Sequence, residues 1–452
     1  MTFIARLAIL AIVLIAHRAL GADVKHVVLV SVDGLAASYL DDPKADLPTL
    51  RQLAKQGVRA NGMQTSFPSV TWPSHVSLVT GTTPRLHGVI GNAVFDRRAM
   101  RELTYIGDPT LEKDQAIEVP TLYDVAAARG LTCGSVIWPC CNGAKALKWV
   151  IPDSNKPALH DKYTTPGFAD ELAKAGIDIS KLGEWGWNKQ HSKARDDVYT
   201  DTANYLLTKH GVNLLLVHVI TPDGVEHAYG PHTPEAYAAV KQSDAHIQQI
   251  WDTLQQPPLA GRSALFVVSD HGFAPVEKLL KPNTIFREEG WIQVDDQNKP
   301  TQRRVWCQAQ GGSAFIYVLD ANLIADVKAA LRDRPGITGV LEPGQFHALG
   351  QPTPDENVES PHLILTTEPG YSFDNDVAGE FVADSPNLKG THGHLTDPPF
   401  MHATFVAAGA GLKSGTRLEV IRNIDVAPTI AKLLGFEFPS AEGRVLTEAL
   451  AP

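Results

Sequence analysis

The sequence predicts an α/β fold: a mostly parallel central sheet with helices on both faces. Three observations predict it. Short apolar, β-branched runs recur along the chain, helix-like segments separate them, and an Asp stands at or just past the end of three runs. Residues 26–32 (HVVLVSV) end at Asp33-Gly34 and read as a strand buried on both faces, which needs no polar alternation. Residues 131–138, 213–220, 263–269 and 402–409 repeat the pattern. Helices are expected over 49–56, 121–129, 196–209, 233–254, 322–333 and 425–434, with Thr233 and Pro234 suited to an N-cap and first helical position. Ligands of such sheets collect at the carboxyl ends of the strands, where Asp33, Asp223 and Asp270 fall.

Residues 278–385 change character. Pro and Gly are frequent there, and strand-like runs at 313–318 and 362–366 flank a helix, so the segment is expected to be an inserted α+β cap subdomain. The expected organisation is a signal peptide over 1–21, a catalytic core over 22–277, the cap over 278–385 and the end of the core over 386–452. The signal is read from Arg6, the apolar run 7–16 and the small residues Ala19 and Gly21. That run is about half of a bilayer span, so stable membrane insertion is not expected, and the location is secreted or periplasmic. Cys133, Cys140, Cys141 and Cys307 would meet an oxidising compartment, and their connectivity stays open. A net charge of -10 without a dense Lys/Arg run excludes a duplex nucleic acid as partner. Oligomeric state is not legible.

The 17 histidines point elsewhere, since several stand beside Asp and Gly where a metal could collect them. Asp223 and His227, in P-D-G-V-E-H-A-Y-G-P, form one set with His392 in G-T-H-G. Asp33 with Asp270 and His271, in D-H-G, forms another. Mixed carboxylate and imidazole ligation suits zinc, and two adjacent divalent ions can clamp the entering and leaving oxygens of displacement at phosphorus. Pro222 and Gly224 argue for a loop around Asp223 rather than a regular helix. Thr71, in F-P-S-V-T-W-P-S-H, stands at a loop-to-helix junction that favours an anion; its hydroxyl is weak at pH 7 and needs a metal beside it to act as a nucleophile. Trp72, Trp138 and Tyr229 fall near strand ends, where a flat ring can stack on a base. The remaining histidines are packing or capping residues by default, with His75 and His218 the best placed to orient a ligand.

Taken in order, D-G after the first strand, F-P-x-x-T-x-P-x-H with V-T-G, P-D-x-x-x-H-x-Y-G-P, D-H-G and G-x-H-G resemble the type I phosphodiesterase/nucleotide pyrophosphatases of the alkaline phosphatase superfamily, over about residues 27–393. The stretch N-I-D-V-A-P-T-I at 423–430 is similar to the superfamily's C-terminal helix start. The resemblance implies an alkaline phosphatase-like fold and hydrolysis of phosphodiester or nucleotide pyrophosphate bonds. It assigns Thr71 as nucleophile, one zinc to Asp223, His227 and His392, and the other to Asp33, Thr71, Asp270 and His271. Asn92, five residues after His87 in H-G-V-I-G-N, matches the family's donor to a phosphoryl oxygen; Trp72 and Tyr229 are the expected substrate contacts. The partner would be a small phosphorylated substrate. Ser74 departs from the family's usual Asn, and the sulfatase C/S-x-P-x-R element is missing. A monoesterase or phosphonate hydrolase with the same metals is the alternative. A non-catalytic periplasmic protein holding zinc or a phosphorylated ligand is disfavoured, because binding alone needs no activated hydroxyl.

Overall fold

Eight strands make the central sheet: β1 (His26–Val32), β2 (Val58–Ala60), β3 (Cys133–Val136), β4 (Leu147–Ile151), β5 (Leu214–Val219), β6 (Ser263–Val268), β7 (Phe405–Gly409) and β8 (Thr416–Leu418), in the order β8-β2-β7-β6-β1-β5-β3-β4. This is a computed structural model that describes residues 23–105, 108, 111–154, 156–186 and 189–452. The segment read as a signal peptide, 1–21, lies outside the described residues. All pairings in the sheet are parallel except those of β7, which runs against β6 and β2.

The lack of polar alternation in β1 has the expected consequence. Val27 and Leu29 enter one core while Val28, Val30 and Val32 enter the core on the opposite face, all five fully buried. Each contributes roughly 1.5–3 kcal/mol on burial, so this strand anchors both layers. Five helices bear on the site: α1 (Thr71–Thr80), α2 (Ser192–Tyr205), α3 (Thr221–Tyr229), α4 (Pro234–Leu254) and α5 (Val426–Leu433). Leu78 and Val79 of α1 and Ile430 of α5 fill the first core; Tyr199 and Ala203 of α2 and Val240, Ile247 and Ile250 of α4 fill the second. The Thr233 hydroxyl caps α4 by accepting the Ala236 N–H at 3.3 Å.

Elements differ from expectation mainly at their ends. The run 131–138 forms a strand only over Cys133–Val136, and α2 starts at Ser192 and widens into a π-helical turn at Leu206–His210. Strand β4 gave no signal, because its sequence LKWVI at the sheet edge carries an exposed Lys148.

A third core surrounds an antiparallel sheet of Val305–Ala309, Ser313–Val318, Leu363–Thr366 and Gly339–Leu341, against which helix Ile324–Leu331 places Val327 and Leu331. Phe67, Trp72 and Val76 belong to this core. The start of α1 is therefore clamped between the small sheet and the large one. The cysteines are free thiols. Among the described residues, no helix is long and apolar enough to cross a membrane.

Candidate active site

The carboxyl ends of the parallel strands bring distant residues to one rim. Asp33 follows β1 directly, and its N–H donates to Val219 O at the end of β5 (2.8 Å). Gly34 then turns the chain at φ +76° and donates its N–H to Asp270 Oδ1 at 3.1 Å. A Cβ at this position would meet the Phe273 ring at 2.8 Å, so glycine is required both for the turn and for the approach.

The expectation of a loop around Asp223 is corrected: Thr221–Tyr229 is an α-helix. Pro222 falls in the first turn, where no N–H is needed. The Asp196 carboxylate of α2, fully buried, accepts the N–H groups of Ile220 at 3.3 Å and Thr221 at 3.1 Å, capping the helix from outside. Helical i,i+4 spacing sets Asp223 and His227 on one face.

Backbone carbonyls orient the imidazoles. Nδ1 of His227 donates to Gly390 O at 2.9 Å, that of His392 to Ser69 O at 3.1 Å, and that of His271 lies 3.2 Å from Gly272 O. Each ring thereby turns Nε2 toward the carboxylates. His271 Nε2 is 3.3 Å from Asp33 Oδ1 and 3.2 Å from Asp270 Oδ2; Asp223 Oδ1 is 3.2 Å from His227 Nε2 and 3.5 Å from His392 Nε2. Two ligands each about 2.0–2.1 Å from a tetrahedral zinc stand about 3.3–3.4 Å apart, so both sets have the spacing of donors around a common ion. Asp33 Oδ1, Asp223 Oδ1, Asp270 Oδ2 and His271 Nε2 are buried without a hydrogen-bond partner, as atoms reserved for a cation would be. The residues present fit two divalent metals, and the stacked rings of His271 and His392, 3.6 Å between centroids, put the two sets side by side.

Charge in the cluster is mutually dependent. Burial pushes Asp33 up, yet the His218 hydrogen bond and the facing His271 imidazole hold it well below the usual carboxylate range. Asp270 is pushed up by burial and by the Asp33 charge. Burial opposes protonation of His271, but Asp270 and Asp33 raise it; burial and the neighbouring His271 and His227 keep His392 well below its ordinary value. Opposed shifts concentrated in one cleft mark a functional site.

Thr71 is the first residue of α1; the Ser74 N–H donates to Val70 O at 3.2 Å and Pro73 has no N–H, so the N–H groups of Thr71 and Trp72 are the ones the helix itself leaves open. Thr71 lines a cavity of about 340 Å³ together with Asp33, Asp223, His227, His392, Trp72 and Asn92. Asn92 Oδ1 accepts the Trp72 N–H at 3.0 Å, which fixes the amide and leaves its N–H₂ to the cavity. His75 donates from Nδ1 to Thr71 O at 2.8 Å and its ring lies 4.3 Å from that of His218, whose Nε2 is 3.0 Å from Asp33 Oδ2. Both histidines thus brace the cluster from behind.

Two aromatic expectations do not meet the cavity. Tyr229 ends α3 with 55% of its surface exposed and is not among the lining residues, while Trp138 is fully buried with its ring edge-on to His75. Asp153, Ser192, Arg195 and Thr221 line the cavity and went unnoticed in the sequence. Asp153 lies two residues past β4 and repeats the strand-end position of Asp33; reading Leu147–Ile151 as a strand would have exposed it. Its carboxyl is pushed up to about 7 by burial, with the Asp33 charge adding and His218 opposing.

Residues 27–395 match the type I phosphodiesterase/nucleotide pyrophosphatase family. The chain belongs to that family. As a member it is a hydrolase of phosphoric esters. Human ectonucleotide pyrophosphatase/phosphodiesterase family member 7 is 24% identical over 434 residues, spanning 93% of this chain and 82% of the relative. A bis(5'-adenosyl)-triphosphatase of Xenopus laevis is 20% identical over 414 residues, 90% of this chain and 77% of the relative. Murine ectonucleotide pyrophosphatase/phosphodiesterase 5, solved as an inactive variant in complex with AMP, superposes with a TM-score of 0.69 at 19% identity, covering 94% of this chain and 100% of the other. That likeness is one of fold, the alkaline phosphatase-like α/β arrangement.

Proposed function

We propose that this family member hydrolyses nucleotide phosphodiester or pyrophosphate bonds in two steps through a phospho-threonine. The observation that carries the reading is the tetrahedral spacing of the two ligand sets beside one cavity that also holds Thr71. Asp223, His227 and His392 would hold one ion, and Asp33, Asp270, His271 and Thr71 the other. Bound there, two divalent cations, zinc by ligand type, supply Lewis acidity that lowers the pKa of the threonine hydroxyl and offsets charge on the departing oxygen.

Thr71 Oγ1 attacks phosphorus: the Oγ1–P bond forms as the bond from phosphorus to the leaving oxygen breaks, and the proton lost from the hydroxyl is balanced by one taken up by the leaving oxygen. Water then adds to phosphorus, the Oγ1–P bond breaks and the hydroxyl is restored. The Asn92 amide donates to a phosphoryl oxygen, and the open start of α1 faces the same charge. His75, bonded to the Thr71 carbonyl, holds the nucleophile's residue in place. A nucleotide is favoured by the relative named for a bis(5'-adenosyl) triphosphate and by the fold neighbour solved with AMP. We place residues 278–385 over the leaving-group side as a cap, and the 1–21 segment as the signal that would export the enzyme.

The test is Thr71→Ala. Turnover of bis(p-nitrophenyl) phosphate should be lost while most of the metal stays bound; unchanged turnover by a clean variant would rule the nucleophile out.

A further inference from the structure

Arg195, in the first turn of α2, is 3% exposed and lines the cavity. It is the only Lys or Arg among the lining residues. One guanidinium nitrogen, Nη1, donates to the Gly186 carbonyl, while Nε is buried without a partner, and Arg195 forms no ion pair with any described residue. A guanidinium is charged at every physiological pH, and a buried charge is costly unless an anion meets it. Among the described residues no carboxylate meets it, and the cavity it lines is open to an anion.

The second observation concerns the helix itself. α2 has 14 residues, its N-cap His191 makes no side-chain cap, and no acidic residue sits in its first turn. Ser192, its first residue, lines the same cavity. Ser192 and Arg195, three residues apart at the start of α2, therefore stand on one wall of the cavity, and Thr71 and Asn92 come from other elements. Nothing in the chemistry of Thr71, Asn92 or the two ligand sets uses this wall.

We propose that Arg195 and the start of α2 form a second anion subsite, which holds a phosphoryl group of the substrate beyond the phosphorus under attack. This rests on the phosphoester-hydrolase reading above and narrows it: the substrate class is an ester with a pyrophosphate or longer polyphosphate link, not a diester with a neutral or cationic leaving group. A bidentate guanidinium suits a non-bridging pair of phosphate oxygens.

The experiment compares the metal-replete wild type with Arg195→Met and Arg195→Lys on two substrates, diadenosine triphosphate and bis(p-nitrophenyl) phosphate. Arg195→Met should lower kcat/KM for the triphosphate by about ten- to hundredfold, the range for a charge-assisted hydrogen bond, and change the diester by less than about threefold. Arg195→Lys keeps the charge without the fork and should lose less than the Met variant on the triphosphate. It also carries the comparison if the Met variant does not fold. Calorimetry on Thr71→Ala protein gives a readout without turnover. The α,β-methylene analogue of ADP should bind at least about tenfold more tightly than AMP, and Arg195→Met should erase that preference. Equal losses on both substrates, or an unchanged preference, would mean that Arg195 only props the Gly186 segment and would overturn the subsite. Wild-type protein inert on both esters would instead remove the reading on which the subsite rests.

Discussion

Asn92 offers a quantitative test of how the cavity stabilises charge. Its side chain has two separable jobs: Oδ1 accepts the Trp72 N–H at 3.0 Å, and the amide N–H₂ faces the cavity. The residue is held from its other side as well, since its backbone N–H donates to Gln310 Oε1 at 3.0 Å. A donor fixed in advance costs no reorganisation when charge develops on a phosphoryl oxygen, and removal of one such donor lowers kcat by about 10²–10³. Asn92→Ala removes both jobs, so it should also lose about 1–3 kcal/mol of stability through the unsatisfied Trp72 N–H. Asn92→Asp keeps the acceptor for Trp72 and replaces the donor with negative charge. It should retain near-wild-type stability and lose at least as much kcat. Steady-state kinetics on bis(p-nitrophenyl) phosphate beside urea unfolding separates the two effects. A kcat for Asn92→Ala within about threefold of wild type would refute the reasoning, as would an Asn92→Asp protein that is active.

Other residues give further expectations. Asp196→Ala removes the outside cap of α3 and should cost about 1–2 kcal/mol of stability, with zinc affinity falling about 10–100-fold in a competition titration, because the cap sets the helix that bears Asp223 and His227. His87 is fully buried, and burial drives its pKa from 6.5 to about 3. It is neutral in the folded chain, whereas the unfolded chain takes up a proton below pH 6.5, so its contribution is complete above that pH and falls as pH drops toward 3. By pH 5 the loss is about 2 kcal/mol. Denaturant unfolding of His87→Gln at pH 7 and pH 5 should show a stability difference smaller than that of wild type by about this amount.

Much of this site was legible because its chemistry lies in short motifs at strand ends. Asp33, Asp270 and His271 follow apolar runs that cannot be helices of adequate length, and the rule that ligands gather at carboxyl ends of parallel strands then joins residues hundreds of positions apart. What escaped was what tertiary context decides. Pro222 and Gly224 reduce helix propensity, but the buried Asp196 cap, 27 residues before Asp223, supplies what the local sequence lacks. Tyr229 lies within the motif, yet two residues past His227 is about half a helical turn, which turns it away from the cavity into solvent. Strand β4 pairs only with β3, and an edge strand can afford Lys148, so periodicity gave no signal for it or for Asp153 beyond it. Arg195 sits in a polar helix whose burial against the cavity no pattern announces.

The account depends on six side chains enclosing two cations, and anomalous diffraction at the zinc edge on crystals grown from zinc-supplemented protein tests it most directly. The predicted result is two peaks, one bounded by Asp33, Asp270 and His271 and the other by Asp223, His227 and His392. Maps with no peak at either position, or with zinc bound only elsewhere, would contradict it.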